Sequence, residues 1–226
     1  MLSFFKILSP TIEKTEILCY NRSKKGGIRM SDIGKRRKSL ETEQLVYLGV
    51  FTSLVIVLQC LASFVFPKLG VSLNLSLIPI VLGAALCNKW AGAWLGFVSA
   101  FIILFDPTTV AFMTFSAPAT IFLVLVKGMV SGFLGGLVYS LLKSKNKYAA
   151  VIVSALVVPF VNTCIFLLGC LTFFYPLISQ WANDANANIL YYLIVVMVGV
   201  NFLIETGANL ILSPSITRLI DIIKKS

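Results

Sequence analysis

The sequence predicts an all-α membrane protein of six transmembrane helices with its N- and C-termini on the cytoplasmic side. Composition is the first support. The 226 residues are 58% hydrophobic and 12% charged, with a mean hydropathy of +0.93, whereas a soluble domain is about 45–50% apolar and about 25% charged. Charge placement is the second. Residues 1–44 hold ten Lys/Arg and five Asp/Glu, and the 182 residues after them hold only nine and four. So few polar groups cannot cover a water-soluble globule. The third is the way basic residues recur between alternate apolar segments, which sets an orientation. Three regions follow: a basic, disordered N-terminal arm at 1–44, a six-helix membrane domain at 45–214, and a short amphipathic cytoplasmic tail at 215–226.

The arm gathers Lys24, Lys25, Arg29, Lys35, Arg36, Arg37 and Lys38 around Gly26 and Gly27. No apolar run of about 7–15 residues follows a basic start, so it does not read as a secretory signal peptide. Its cluster reads as a juxtamembrane topology signal rather than a nucleic-acid site. Nothing before Met30 looks structured, which leaves Met30 open as a translation start.

A spanning helix needs about 20 apolar residues. Six segments are expected to supply the spans: 45–66, 75–87, 91–105, 118–142, 148–174 and 189–212. The second and third are short and joined by a tight Asn88-Lys89 turn, which leaves short spans, a broken pair and a re-entrant pair all open. An inside N-terminus puts Lys89, Lys143, Lys145, Lys147, Arg218, Lys224 and Lys225 on the cytoplasmic face. The outer loops at 67–74, 106–117 and 175–188 then hold a single lysine, Lys68. Beyond Pro214, Ile216, Leu219, Ile220 and Ile223 recur at helical spacing, the pattern of a membrane-surface helix or a partner-docking face.

Absences narrow the chemistry. A chain without histidine has no His-ligated metal or haem and no His-dependent triad. No G-x-x-x-x-G-K-[ST] run occurs, so no P-loop hydrolyses ATP here. The five cysteines, odd in number and mostly in apolar runs, read as free buried thiols.

Two charged residues fall inside predicted spans, Lys127 and Glu205. Each costs about 2.5–3.5 kcal/mol at mid-bilayer on insertion scales and therefore invites a function. Counting about 1.5 Å per residue from the outer end of each span, Lys127 lies about 13 Å deep, Asn201 about 15 Å, Asn162 about 18 Å and Glu205 about 21 Å. Asn201, Glu205 and Asn209 also share one helix face at i, i+4, i+8. Two readings stand, and they are compatible: a structural Lys127–Glu205 ion pair with interhelical amides, and a ligand pocket opening outward over these groups. Small-residue stripes at Gly128/Gly132/Gly136 and Gly92/Gly96/Ala100 predict close helix packing, and Gly49/Ser53 either packing or a docking face. Phe112, Phe115, Phe173, Phe174, Tyr175, Trp181, Tyr191 and Tyr192 flank the outer loops as an interfacial belt or as rings that close on a ligand.

The stretch Ser72-Leu-Asn-Leu-Ser-Leu-Ile-Pro-Ile-Val-Leu-Gly-Ala-Ala-Leu, then Trp90-Ala-Gly-Ala-Trp-Leu-Gly-Phe, then Leu125-Val-Lys-Gly-Met-Val-Ser-Gly-Phe-Leu-Gly-Gly, resembles in order and spacing the substrate-binding S components of energy-coupling factor (ECF) vitamin transporters. The resemblance spans about residues 45–220. It implies an S-component-like bundle in the cell membrane, multi-pass in the bacterial plasma membrane, that captures a vitamin or precursor at its outer face under a lid at 67–77. It further implies an ECF coupling transmembrane subunit and two cytosolic ATPase subunits as partners, with ATP hydrolysed by those subunits, no cofactor in this chain and no nucleic acid. Family members often carry Ala-x-x-x-Ala on the first span to meet the coupling subunit; Gly49 and Ser53 stand there here. Riboflavin-type members resemble an Asp-rich lead into the second span and a Gly-Pro turn after it, where this chain has Asn74/Ser76 and Asn88-Lys89. Riboflavin is therefore disfavoured, and histidine-dependent metal cargo more so.

The expected function is a non-enzymatic S component of an ECF-type ABC importer. Lys127 and Asn201 are expected to contact ligand, Asn162 and Glu205 to contact or support it, and Asn74 and Asp106 to lie near the pocket mouth. One Lys, one Glu and several amides suit a small molecule with a carboxylate or many hydroxyls; pantothenate fits. The alternative is a self-contained secondary transporter, which would show inverted repeats that the chain lacks. A membrane enzyme lacks its acidic metal cluster, since only Glu205 and Asp106 lie in or near the membrane.

Overall fold

The computed structural model describes residues 30–64 and 76–225, and within them the side chains of all but 30–41, 200, 201, 219 and 223–225. Every regular element described is helical: α1 (Met30–Phe64), α2 (Leu77–Leu86), α3 (Lys89–Ile103), α4 (Pro107–Leu142), α5 (Lys147–Phe173), α6 (Tyr175–Asp184), α7 (Ile189–Tyr191), a π-helical stretch (Tyr192–Gly199) and α8 (Val200–Lys225). Four runs are long and apolar enough to cross a membrane: Thr42–Phe64 in α1, α4, α5, and Ile189–Ile222 across α7 and α8. The second and third expected spans are shorter apolar helices, of 10 and 15 residues. At about 1.5 Å per residue, α2 covers about half of a hydrocarbon core about 30 Å thick.

Four helix starts follow from single side chains. Asn88, Asp106, Asn146 and Asn188 each turn a side-chain oxygen onto a backbone N–H of the first helical turn, satisfying donors that the helix leaves unpaired. The tight link between α2 and α3 is thus an Asn88 cap, with 2.8 Å from Trp90 N to Asn88 Oδ1.

The core explains why α2 is short. Its face is apolar all round, as expected of a helix enclosed by other helices, and Leu77, Pro79, Ile80, Val81, Leu82, Gly83, Ala84 and Ala85 are buried. It packs against α1, α3, α4, α5 and α8. Around it gather Phe51, Val55, Leu95, Tyr139, Val151, Val158, Ile216 and Ile220. Ile216 and Ile220 come from beyond Pro214, where a separate surface tail was expected. Instead α8 continues through the proline, and Ile216 and Ile220 are buried in the bundle. The hydroxyls of Ser213 and Thr217 donate to the carbonyls of Asn209 (2.7 Å) and Ser213 (2.9 Å) along the way. At its other end the described chain is already helical from Met30, ahead of the first apolar span.

Between α3 and α4 the small-residue stripes mesh. A Cβ added to Gly92 would strike the Gly132 carbonyl oxygen, one on Gly96 the Gly128 oxygen, and the converse holds for Gly128 and Gly132. The two backbones therefore touch, as small residues allow between membrane helices.

A second feature ties α1, α2 and α3. Ser76 and Ser99 hydroxyls both donate to Gln59 Oε1 (2.8 and 2.9 Å), and Gln59 Nε2 donates to Ser63 Oγ (3.2 Å). All four residues are buried. In an apolar interior such groups must satisfy one another, because no water does so.

Candidate substrate-binding site

The site begins at a kink. Within α4, Ser116 leaves helical geometry (φ −155°, ψ 96°) two residues before Pro118, where the missing N–H and ring of proline disfavour a continuous helix. Thr120 Oγ1 closes on the Ser116 carbonyl at 2.8 Å. Residues 107–115 form a short piece set off from the long run that starts at Pro118, where the fourth span was expected to begin. At the far end of α5 the chain turns at Phe174 into α6, whose Ile178 and Ala182 point inward.

These two short pieces close one end of the bundle with aromatic rings. Phe112 lies edge-on to Phe166 (5.9 Å between centroids), Phe174 (5.2 Å) and Trp181 (5.4 Å), and Phe115 lies 6.1 Å from Phe174. Edge-to-face contacts at such distances are favourable for aromatic pairs. With Leu123, Cys170, Ile178 and Leu193 they form a second core, separate from the one around α2.

Lys127 is at the base of this cluster. It lies one helical turn past Leu123 on the same face of α4, and its Nζ sits over the Phe166 ring, 5.1 Å from the centroid. Lys127 and Glu205 on α8 are both half-buried.

The expected Lys127–Glu205 ion pair is not made. Glu205 is the acid whose charge acts most strongly on Lys127, ahead of Asp106, but the two are not in ion-pair contact. Among the described residues the ion pair present is Lys147–Asp221, at 3.4 Å near the helix ends. The reason is directional: the side chain of Lys127 extends from α4 onto α5, and Phe166 receives its ammonium.

The other expected site residues separate. Asn162 lies one turn before Phe166 on α5, on the face that carries Phe166 and Cys170 toward Lys127. Asn209, below Glu205 on α8, is buried, and the stripe extends at the same spacing to Ser213 and Thr217, both buried. Thr206 Oγ1, beside Glu205, is buried without a hydrogen-bond partner. The side chain of Asn201 lies outside the described residues, as do Asn74 and most of the expected lid at 67–77. Asp106 caps the 107–115 piece: its Oδ1 accepts from Thr108 N (2.9 Å) and Thr108 Oγ1 (2.6 Å). Gly49 and Ser53 are exposed on α1. No three His, Cys, Asp or Glu side chains gather to hold a metal ion among the described residues.

Sequence reasoning passed over Phe166 and Gln59. Phe166 lies four residues after Asn162, so the face was readable while the contact was not.

The site is thus a half-buried cation against an aromatic cluster in a bundle of apolar helices. A family model described as ECF transporter, substrate-specific component matches residues 43–217, and the chain belongs to that family. No curated protein and no solved structure matches it. Members of this family are membrane-embedded transporter subunits rather than enzymes, and they associate with coupling and ATPase modules.

Proposed function

We propose that this chain is the S component of an ECF-type ABC importer in the bacterial plasma membrane. It captures a water-soluble vitamin or precursor at its outer face and delivers it inward with a coupling subunit and two ATPase subunits. The observation that carries this is Lys127, half-buried at the base of the Phe112/Phe166/Phe174/Trp181 cluster. A charged side chain within an apolar helix and without a close counter-ion is a standing cost in a membrane protein, and binding a ligand is the role that offsets it. The basic residues Lys143, Lys145 and Lys147 occupy the opposite ends of α4 and α5, the ends that the positive-inside rule assigns to the cytoplasm. The aromatic cluster then faces outward, where a nutrient arrives.

The test is uptake by liposomes that hold the chain together with a coupling subunit and the ATPases. B vitamins and their precursors are supplied outside, with and without ATP inside. Accumulation of one of them that requires internal ATP supports the reading. Accumulation driven by an ion gradient without ATP replaces it with secondary transport. In detergent, the same solute at about 100 times its Kd stabilises the isolated chain by about 2.7 kcal/mol, readable as a rise in Tm.

A further inference from the structure

We infer that the solute bound at Lys127 is a carboxylate whose body lies against an apolar, aromatic wall, and not a cation. The inference deepens the proposed function and rests on it. The charge of the site and its wall converge on this class.

Among the described residues Lys127 Nζ has neither a hydrogen bond nor an ion pair; what it meets is the face of Phe166 at 5.1 Å. A ring face is a weaker partner for an ammonium than a carboxylate that accepts its N–H bonds. The cation is therefore in place and open to an anion. Neither nearby acid fills that role. Glu205 makes no ion pair with Lys127, and Asp106 turns its Oδ1 onto the N–H and hydroxyl of Thr108.

The surroundings decide what the anion is attached to. Beside Lys127 stand Phe166 and, in edge contact with it, Phe112, with Leu123 and Cys170 behind. On this side they offer ring faces and apolar atoms, with the Asn162 amide one turn before Phe166 on the same face of α5. An aliphatic chain or a flat ring loses nothing on the same wall. A cationic solute would meet the Lys127 charge at short range and be repelled.

The experiment measures binding of matched pairs to the full chain in nanodiscs by titration calorimetry: nicotinate against nicotinamide, pantothenate against panthenol, and biotin against its primary amide. Pyridoxine and thiamine serve as neutral and cationic comparisons. The expected result is that at least one acid binds and its uncharged partner binds about 10- to 100-fold more weakly, the worth of a charge-assisted hydrogen bond. Lys127→Met should abolish that preference, and Lys127→Arg, which keeps the charge, should retain it. The wild-type pairs and the Arg variant decide the matter even if the Met variant does not fold.

Equal or tighter binding of the uncharged partner overturns the inference. So does a preference that survives Lys127→Met, and so does the failure of every acid to bind. If pyridoxine or thiamine binds instead, the carboxylate class falls while the S-component reading stands. If nothing binds and the chain also fails to co-purify with a coupling subunit, both fall.

Discussion

Gln59 shows how one buried amide organises three helices. Its carbonyl oxygen accepts from Ser76 and Ser99, which lie 17 and 40 residues away along the chain. Replacing Gln59 with Leu keeps the bulk but leaves both hydroxyls without that acceptor. The expected cost is about 1 kcal/mol, because Ser76 and Ser99 still bond each other at 2.9 Å and hydrogen bonds between membrane helices have modest measured values. A lower Tm for ligand-free Gln59→Leu checks it, and Ser63→Ala, which removes only the Nε2 acceptor, should lower Tm less. Charge made Lys127 and Glu205 conspicuous in the sequence, because a charge in an apolar run is improbable. A lone glutamine carries no such signal, and its partners lie on other elements. Asp106 is the converse case. Asp followed by Pro at the first helical position is a helix-start signature, so its capping role was readable, though the sequence reading placed it near a pocket mouth.

Among elements, the α3–α4 pair depends on the absence of side chains. Gly96→Val would force a branched side chain into the Gly128 carbonyl, which is backbone and cannot rotate away. Overpacking typically costs about 1–3 kcal/mol and occasionally more. We expect Gly96→Val to lower Tm by far more than Gly49→Ala, whose added methyl meets nothing within 4 Å. Parallel thermal unfolding of the two variants makes the comparison. The helical spacing of these glycines exposed the stripes in the sequence, and α3 and α4 proved to be each other's partners. The lengths of α2 and α3 were also legible, as short apolar runs around Asn88. That α2 sits at the centre of the bundle was not, because an all-apolar face suits lipid and protein interior equally.

For the whole molecule, the exposed small-residue face of α1 bears on assembly. Gly49 has open space where a Cβ would stand, and the Ser53 hydroxyl is turned back onto the Gly49 carbonyl at 3.0 Å, so the surface there is low and presents little polarity. Gly49→Leu should therefore leave the fold and ligand affinity intact while reducing recovery of the coupling subunit in a pull-down at least about tenfold, as expected when a side chain is forced into a close helix–helix contact. Undiminished recovery would remove this face from the proposed interface.

The sequence by itself determined that the protein is helical and membrane-embedded, which of its ends carry the basic charge, and that Lys127, Asn162 and Glu205 lie within apolar runs. Those properties follow from transfer free energies and a repeat of 3.6 residues, and both are local. The motif order around Ser72, Trp90 and Leu125 pointed to the ECF substrate-specific family, and the family match agrees. Tertiary structure alone decided that Lys127 rests on Phe166 instead of pairing with Glu205, that Phe112 joins three rings above it, and that Ile216 and Ile220 pack into the core. Each of these depends on how one helix is rotated and kinked against another. Packing across the whole bundle sets that rotation, and no single segment encodes it.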